Sequence, residues 1–205
     1  MNIGNSPSST SLSLLSRIRS NDAVAWSQLV KLYAPIVGYW CRRQGIGSED
    51  SADIIQMVFL AVARGLDNFR PVSARKLTAA PQGDGSFRAW LWVITRNKIR
   101  DWARSQPQVR AAGGSSVNQL LHEIPDVPED EHTSPEILNQ LLRRALEQIR
   151  SQFQPQTWDA FWRCVVDNQS TAVVAEQLQM KPASVRQARS RVLRQLRCQL
   201  GDQDG

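Results

Sequence analysis

Six cations and no acid lie between Lys181 and Arg197, in the run KPASVRQARSRVLRQLR. Wound as a helix at about 100° per residue, this run separates into two faces. Val185, Val192, Leu193 and Leu196 fall on one, while Ser184, Arg186, Gln187, Ser190, Arg191 and Arg194 fall mostly on the other. Arg189 lands near the apolar side, where its stem can pack and its head reach out. Guanidinium, amide and hydroxyl groups are the ones that hydrogen-bond base edges and phosphate oxygens. Just upstream come a short apolar segment, VVAEQL, and a tight turn over Gln179 to Lys181. Short helix, turn and longer polar helix have the form of a helix-turn-helix, in which the first helix braces the second in the major groove. A merely solvated basic face is the plainer alternative.

A second set of residues lies in SFRAWLWVITRNKIRDWAR. Arg88, Trp92, Arg96 and Arg100 recur every four residues, and Lys98 and Arg104 add charge. An aromatic ring between cations can stack on unpaired bases while the cations hold the backbone. The competing reading packs Trp92 on a neighbouring helix, with arginine stems covering apolar surface. Trp90 is expected in the core. A third segment, DIIQMVF from Asp53 to Phe59, is by itself only an amphipathic helical turn.

The elements that must position these residues all read as helices. An apolar pattern starts near Ser11, and Asp22 can cap a second helix that Pro35 interrupts or kinks. After the turn QGIGSED, Ser48 or Asp50 caps a helix to about Leu66. Residues 69–86 read as a long loop, with Pro71, Pro81, Gly83 and Gly85 opposing helix. Ser86 caps the Arg/Trp helix, and Pro107 ends it. Ser134 with Pro135 opens a further helix, and Gln154-Pro155 breaks it from the next. Thr171 to Leu178 forms the short helix before the turn, and Pro182 opens the basic helix. No strand pattern competes, so the expected fold class is all-α. The expected organisation is two small helical domains joined by a flexible acidic linker. Its parts are a disordered start over 1–10, a domain over 11–105, a linker over 106–134, a domain over 135–199 and a tail over 200–205.

The 205 residues carry a net charge of +6, which favours a polyanionic partner. The charge is uneven: residues 1–104 hold 14 Lys/Arg against 7 Asp/Glu, and 135–205 hold 10 against 7. Between them, 105–134 holds one arginine against five acids. Cys41, Cys164 and Cys198 are far apart, and His122 and His132 are lone linker residues. That spacing suggests neither a zinc site nor a redox pair, and no cofactor is expected. No apolar run approaches the ~20 residues of a membrane span, and no secretion signal is visible. A cytoplasmic protein without membrane insertion is expected. No nucleophile–base pair, phosphate loop or metal cluster points to an enzyme.

In order, AWSQLVKLYAP, DIIQMVFLAVARGLDNF, SFRAWLWVITRNKIRDWAR, a linker and SVRQARSRVLRQLR resemble the extracytoplasmic-function sigma factors of the bacterial sigma-70 family. The resemblance covers about residues 11–104 and 137–198. It implies a specificity subunit of bacterial RNA polymerase with a region-2-like and a region-4-like domain, not an enzyme. By that resemblance Asp53, Ile54, Gln56 and Phe59 dock on the β′ clamp of core polymerase, and the C-terminal domain meets the β flap. Arg88, Trp92, Arg96, Asn97, Lys98, Arg100 and Arg104 contact and help open the promoter −10 element. Ser184, Arg186, Gln187, Ser190, Arg191 and Arg194 read the −35 element. The acidic linker threads toward the polymerase channels. An anti-sigma factor, if one exists, would cover these faces. Two features depart from the family. Loop 69–86 is longer, which makes Arg75 and Lys76 candidates for altered −10 selectivity, and Ala188 stands where an arginine is usual. Two alternatives remain: a stand-alone helix-turn-helix regulator of duplex operator DNA, and a protein-binding adaptor with incidental charge.

Overall fold

The computed structural model describes residues 13–70, 86–105 and 134–202, and every regular element among them is helical. The N-terminal group holds α1 (Leu14–Arg19), α2 (Ala23–Arg43), α3 (Ser48–Gly65), a 3-10 turn (Leu66–Asn68) and α4 (Phe87–Ser105). The C-terminal group holds α5 (Pro135–Arg150), α6 (Pro155–Val165), α7 (Thr171–Gln177) and α8 (Pro182–Gln199). The stretches 1–12, 71–85 and 106–133 lie outside the described residues. With them go the expectations for the N-terminus, for Arg75 and Lys76, and for nearly all of the acidic linker.

Capping chemistry sets most boundaries. The Asp22 carboxylate accepts from the Val24 and Ala25 amides at 2.9 and 3.0 Å. It also takes Arg17 at 2.7 Å, and these donors hold its carboxyl below the usual range, the Ala25 amide most of all. Ser134 and Ser170 cap α5 and α7 through their hydroxyls, and proline opens α5, α6 and α8. Ser86 accepts from the Ala89 amide at 3.2 Å, as its position suggested. At α3 the expectation shifts by a residue. Gly47 is the N-cap, Ser48 is already helical, and Glu49 and Asp50 supply first-turn acid for the dipole.

Pro35 does not end α2, which runs as one helix from Ala23 to Arg43. An interior proline costs about 3 kcal/mol. Here Leu32, Tyr33, Ile36 and Val37 are buried around it, enough apolar surface to offset that cost.

α2 is the spine of the main core. Leu29, Tyr33, Ile36 and Trp40 pack with Ile54 and Val58 of α3 and with Phe87, Leu91 and Trp92 of α4. This cluster extends into the C-terminal group, taking in Leu141 and Ala145 of α5, with Leu196 and Leu200 at its edge. Two smaller clusters hold the C-terminal group together. Ile149, Trp158, Phe161 and Val192 form one, and Ala160, Val174, Ala175, Val185 and Ala188 the other. No helix among the described residues is long and apolar enough to cross a membrane.

Candidate nucleic-acid interface

α7 and α8 are joined by Leu178 to Lys181, with Gln179 in the left-handed region at φ 52°. The Met180 amide reaches back to the Ala175 carbonyl at 2.9 Å, which closes the turn. Val185, Ala188 and Val192 face inward onto α6 and α7. Ala188 therefore supplies packing rather than a groove contact. Arg186, Gln187, Ser190, Arg191 and Arg194 are all exposed, and Ser184 is half-buried. Arg189, expected near the apolar side, is exposed too, because the buried arc centres on Ala188 and Val192 and leaves it outside. α8 thus offers a contiguous arc of guanidinium, amide and hydroxyl groups with its back fixed to a helical brace. That geometry suits major-groove docking.

α4 is built differently. Phe87, Leu91, Trp92, Thr95, Ile99 and Ala103 are buried. Trp92 is only 2% exposed, and its ring meets Trp40 edge-on at 5.1 Å and 72°. Trp92 thus sits in the core, and its ring is not presented for base stacking. The reason is geometric. A four-residue step advances a helix by about 40°, so the series Arg88, Trp92, Arg96, Arg100 turns by about 120°. It starts inside the buried arc and leaves it only near Arg96. Arg88, Arg96 and Arg100 are half-buried, whereas Asn97 and Arg104 are exposed. Lys98 and Arg104 flank Asp101 at 3.5 and 3.7 Å, surface pairs of little energetic weight. A shallow groove of about 490 Å³ lies here, lined by Asn97, Lys98, Arg100 and Arg104 among others. Trp90 is half-buried between Phe69 and Phe87 and lies 3.1 Å from where a Cβ on Gly65 would stand. It belongs to the core edge, as expected.

On α3 the four singled-out residues divide evenly. Asp53 and Gln56 are exposed, while Ile54 and Phe59 are buried in the main core, where they support the outer face without belonging to it. Helical spacing fixes this, since Ile54 and Val58 share the inward side at i,i+4. The sequence reading missed Met57 and Leu60, which are 37% and 53% exposed beside Gln56. With Arg64 and Lys98 they line a groove of about 360 Å³. It also missed a larger apolar cleft of about 750 Å³ between α5 and α6, lined by Leu142, Leu146, Trp158, Trp162 and Val166 among others. Large apolar side chains left in solvent at helical spacing were the available signal for both.

Fold and surface together define an all-helical protein that carries a helix-turn-helix whose second helix is exposed and cationic. No family model matches the chain. Its sequence is similar to RNA polymerase sigma factors. It is 32% identical over 121 residues to the RNA polymerase sigma factor NccH of Alcaligenes xylosoxydans xylosoxydans, covering 59% of this chain and 54% of that protein. It is 33% identical over 91 residues to the RNA polymerase sigma factor CnrH of Cupriavidus metallidurans, covering 44% of this chain and 41% of that one. With the ECF RNA polymerase sigma factor SigE of Mycolicibacterium smegmatis, identity is 26% over 174 residues, 84% of this chain and 60% of that one. The chain thus spans about half the length of the first two relatives. A solved structure of CnrH in complex with the cytosolic domain of CnrY aligns at 20% identity over 89% of this chain and 92% of that one, with a TM-score of 0.35. By its sequence similarities the chain is related to the RNA polymerase sigma factors, in accord with its motif order.

Proposed function

We propose that this chain is an alternative sigma factor of the extracytoplasmic-function type, which binds bacterial core RNA polymerase and directs it to a set of promoters. The observation that carries this reading is the exposed Arg/Gln/Ser arc of α8, seated on a helix-turn-helix in a chain similar to named sigma factors. In this reading Arg186, Gln187, Ser190, Arg191 and Arg194 enter the major groove at the −35 element. The outer edge of α4, with Asn97 and Arg104 exposed and Arg96, Lys98 and Arg100 half-buried, meets the −10 element. Asp53 and Gln56, with Met57 and Leu60 beside them, form the α3 face for the β′ clamp. The cleft between α5 and α6 has the apolar lining to take a helix of the β flap. The protein catalyses nothing itself, and the polymerase supplies the chemistry.

Run-off transcription over a library of promoter fragments tests this, using purified bacterial core polymerase with and without the protein. Initiation at a discrete set of start sites, dependent on the protein, is the expected result. Sequence-specific duplex binding without any initiation would replace this reading with a stand-alone regulator.

A further inference from the structure

α4 carries five cations and a single acid, Asp101. That acid is unfavourably placed on two counts. It lies about one turn from the C-terminal end of α4, where the helix dipole opposes an anion. It also stands among the side chains read above as holding a promoter strand, where it repels phosphate. Spacings of three and four put Ile94, Asn97, Lys98, Asp101 and Arg104 on one face. With Ala61 of α3 and with Arg100, that face lines the groove of about 490 Å³. Ion pairing does not account for the acid. Lys98 precedes it by three residues, the weaker order for a helical pair. Its contacts with Lys98 and Arg104 are 3.5 and 3.7 Å long. Charge-assisted hydrogen bonds are shorter, at about 2.7–2.9 Å. An ionised carboxylate accepts at both oxygens and donates nothing. With its side chain 58% exposed, Asp101 keeps most of that capacity. Ala61 and Ile94 give the same groove an apolar wall for the flat face of a base.

We propose that Asp101 reads a base: its carboxylate accepts from the amino edge of one unpaired nucleotide in this groove, guanine before the others, while Lys98 and Arg104 hold the neighbouring phosphates. The proposal deepens the reading of α4 given above and rests on it for the identity of the strand. Unpaired bases offer their Watson–Crick edges to side chains. Guanine presents N1–H and N2–H side by side, a match for the two carboxylate oxygens. Cytosine and adenine each present one amino group. Thymine presents its N3–H between two carbonyls, and these face the carboxylate with like charge. An acid among cations thus lowers affinity for every strand and restores it only where an amino group meets the carboxylate.

The test uses the full chain and short labelled single strands of DNA, followed by fluorescence anisotropy at low salt. One strand is all thymine, and the other has a single central guanine. The parent should bind the guanine strand about tenfold more tightly, the scale of one good side-chain contact with a base. Asp101→Ala should bind the thymine strand severalfold more tightly than the parent does, and should show no preference between the two. Circular dichroism checks that the variant keeps its helices. Annealing a complementary strand occupies the guanine edge and should abolish the parent's preference. The same preference in parent and Asp101→Ala would overturn the proposal, whether or not overall affinity rises. So would a parent that binds neither strand, or a preference that survives in the duplex. In a second arm, run-off transcription with core polymerase compares promoters that differ in the guanines of the −10 region. Their advantage with the parent should be lost with Asp101→Ala, and an unchanged advantage would overturn the role at promoters. If the parent supports no initiation at all, the sigma-factor reading fails, while the strand preferences still decide Asp101.

Discussion

Trp92 provides the sharpest test of how α4 is built. Its ring is buried against Trp40, and truncation to alanine removes most of an aromatic side chain that buries on the order of 200 Å². At about 25 cal/mol per Å² of apolar surface, plus an unfilled cavity, Trp92→Ala should cost about 3–5 kcal/mol. That is a large share of the ~5–15 kcal/mol that holds a typical protein folded. Trp92→Phe should behave quite differently. The indole N–H has no acceptor among the described residues, and a buried unmet donor costs about 1–3 kcal/mol. Removing it offsets the packing lost with the smaller ring, so the net change should stay within about 1 kcal/mol. A double-mutant cycle with Trp40→Ala should return a coupling of about 0.5–1.5 kcal/mol for the edge-on pair. Urea unfolding followed by circular dichroism measures all three, and run-off transcription reports promoter opening by the folded variants. A Trp92→Phe protein of parental stability that can no longer open promoters would refute the core assignment and put the indole on DNA.

Replacing Asp22 by alanine removes the cap of α2 and should lower the denaturation midpoint in chemical denaturation at neutral pH. The parent should lose this contribution as pH falls through the depressed carboxyl range, because the folded state prefers the charged form. Burial pushes the Cys41 thiol up to about 11 from an ordinary value near 9. The folded state thus favours the protonated thiol, so its contribution is intact below pH 9 and lost as pH rises toward 11; Cys41→Ser should reduce that alkaline loss in pH-dependent melting. In duplex binding measured across salt concentrations, Arg194→Ala should shrink the log–log slope by about one if the side chain holds phosphate. If it reads a base instead, the variant should relax selectivity at one position by about 1–3 kcal/mol with little change in slope.

Most helix starts were legible because they depend on local chemistry. Asp22, Ser86 and Ser134 each cap the helix that their position suggested, and a carboxylate or hydroxyl needs only the next three residues to do so. The α8 face was legible for a similar reason, since its cations and apolar residues segregate within one helix. What stayed hidden depends on distant partners. Pro35 reads as a break until the buried side chains around it are known. Ile54 and Phe59 read as docking residues within a motif, but α2 and α4 cover them. The contact between the C-terminal tail and Tyr33 spans 167 positions and leaves no periodic trace.

The two cationic helices differ in a way that spacing alone explains. On α8 the polar series Arg186, Gln187, Ser190, Arg191, Arg194 alternates steps of one and three residues, which sets its members three and four apart on the same arc. On α4 the series Arg88, Trp92, Arg96, Arg100 uses steps of four alone and turns by about 40° each time. Across three such steps a stripe passes from the core to its edge, and its members cannot share one environment. Arg88 and Trp92 then belong to packing, and only the later members, with Asn97 and Arg104, stand where a polyanion could lie. A strict four-residue repeat of aromatic and cation therefore marks a helix that carries its charge out of a core. A mixed three-and-four repeat marks one that presents its charge along a single face, and α8 is that helix here.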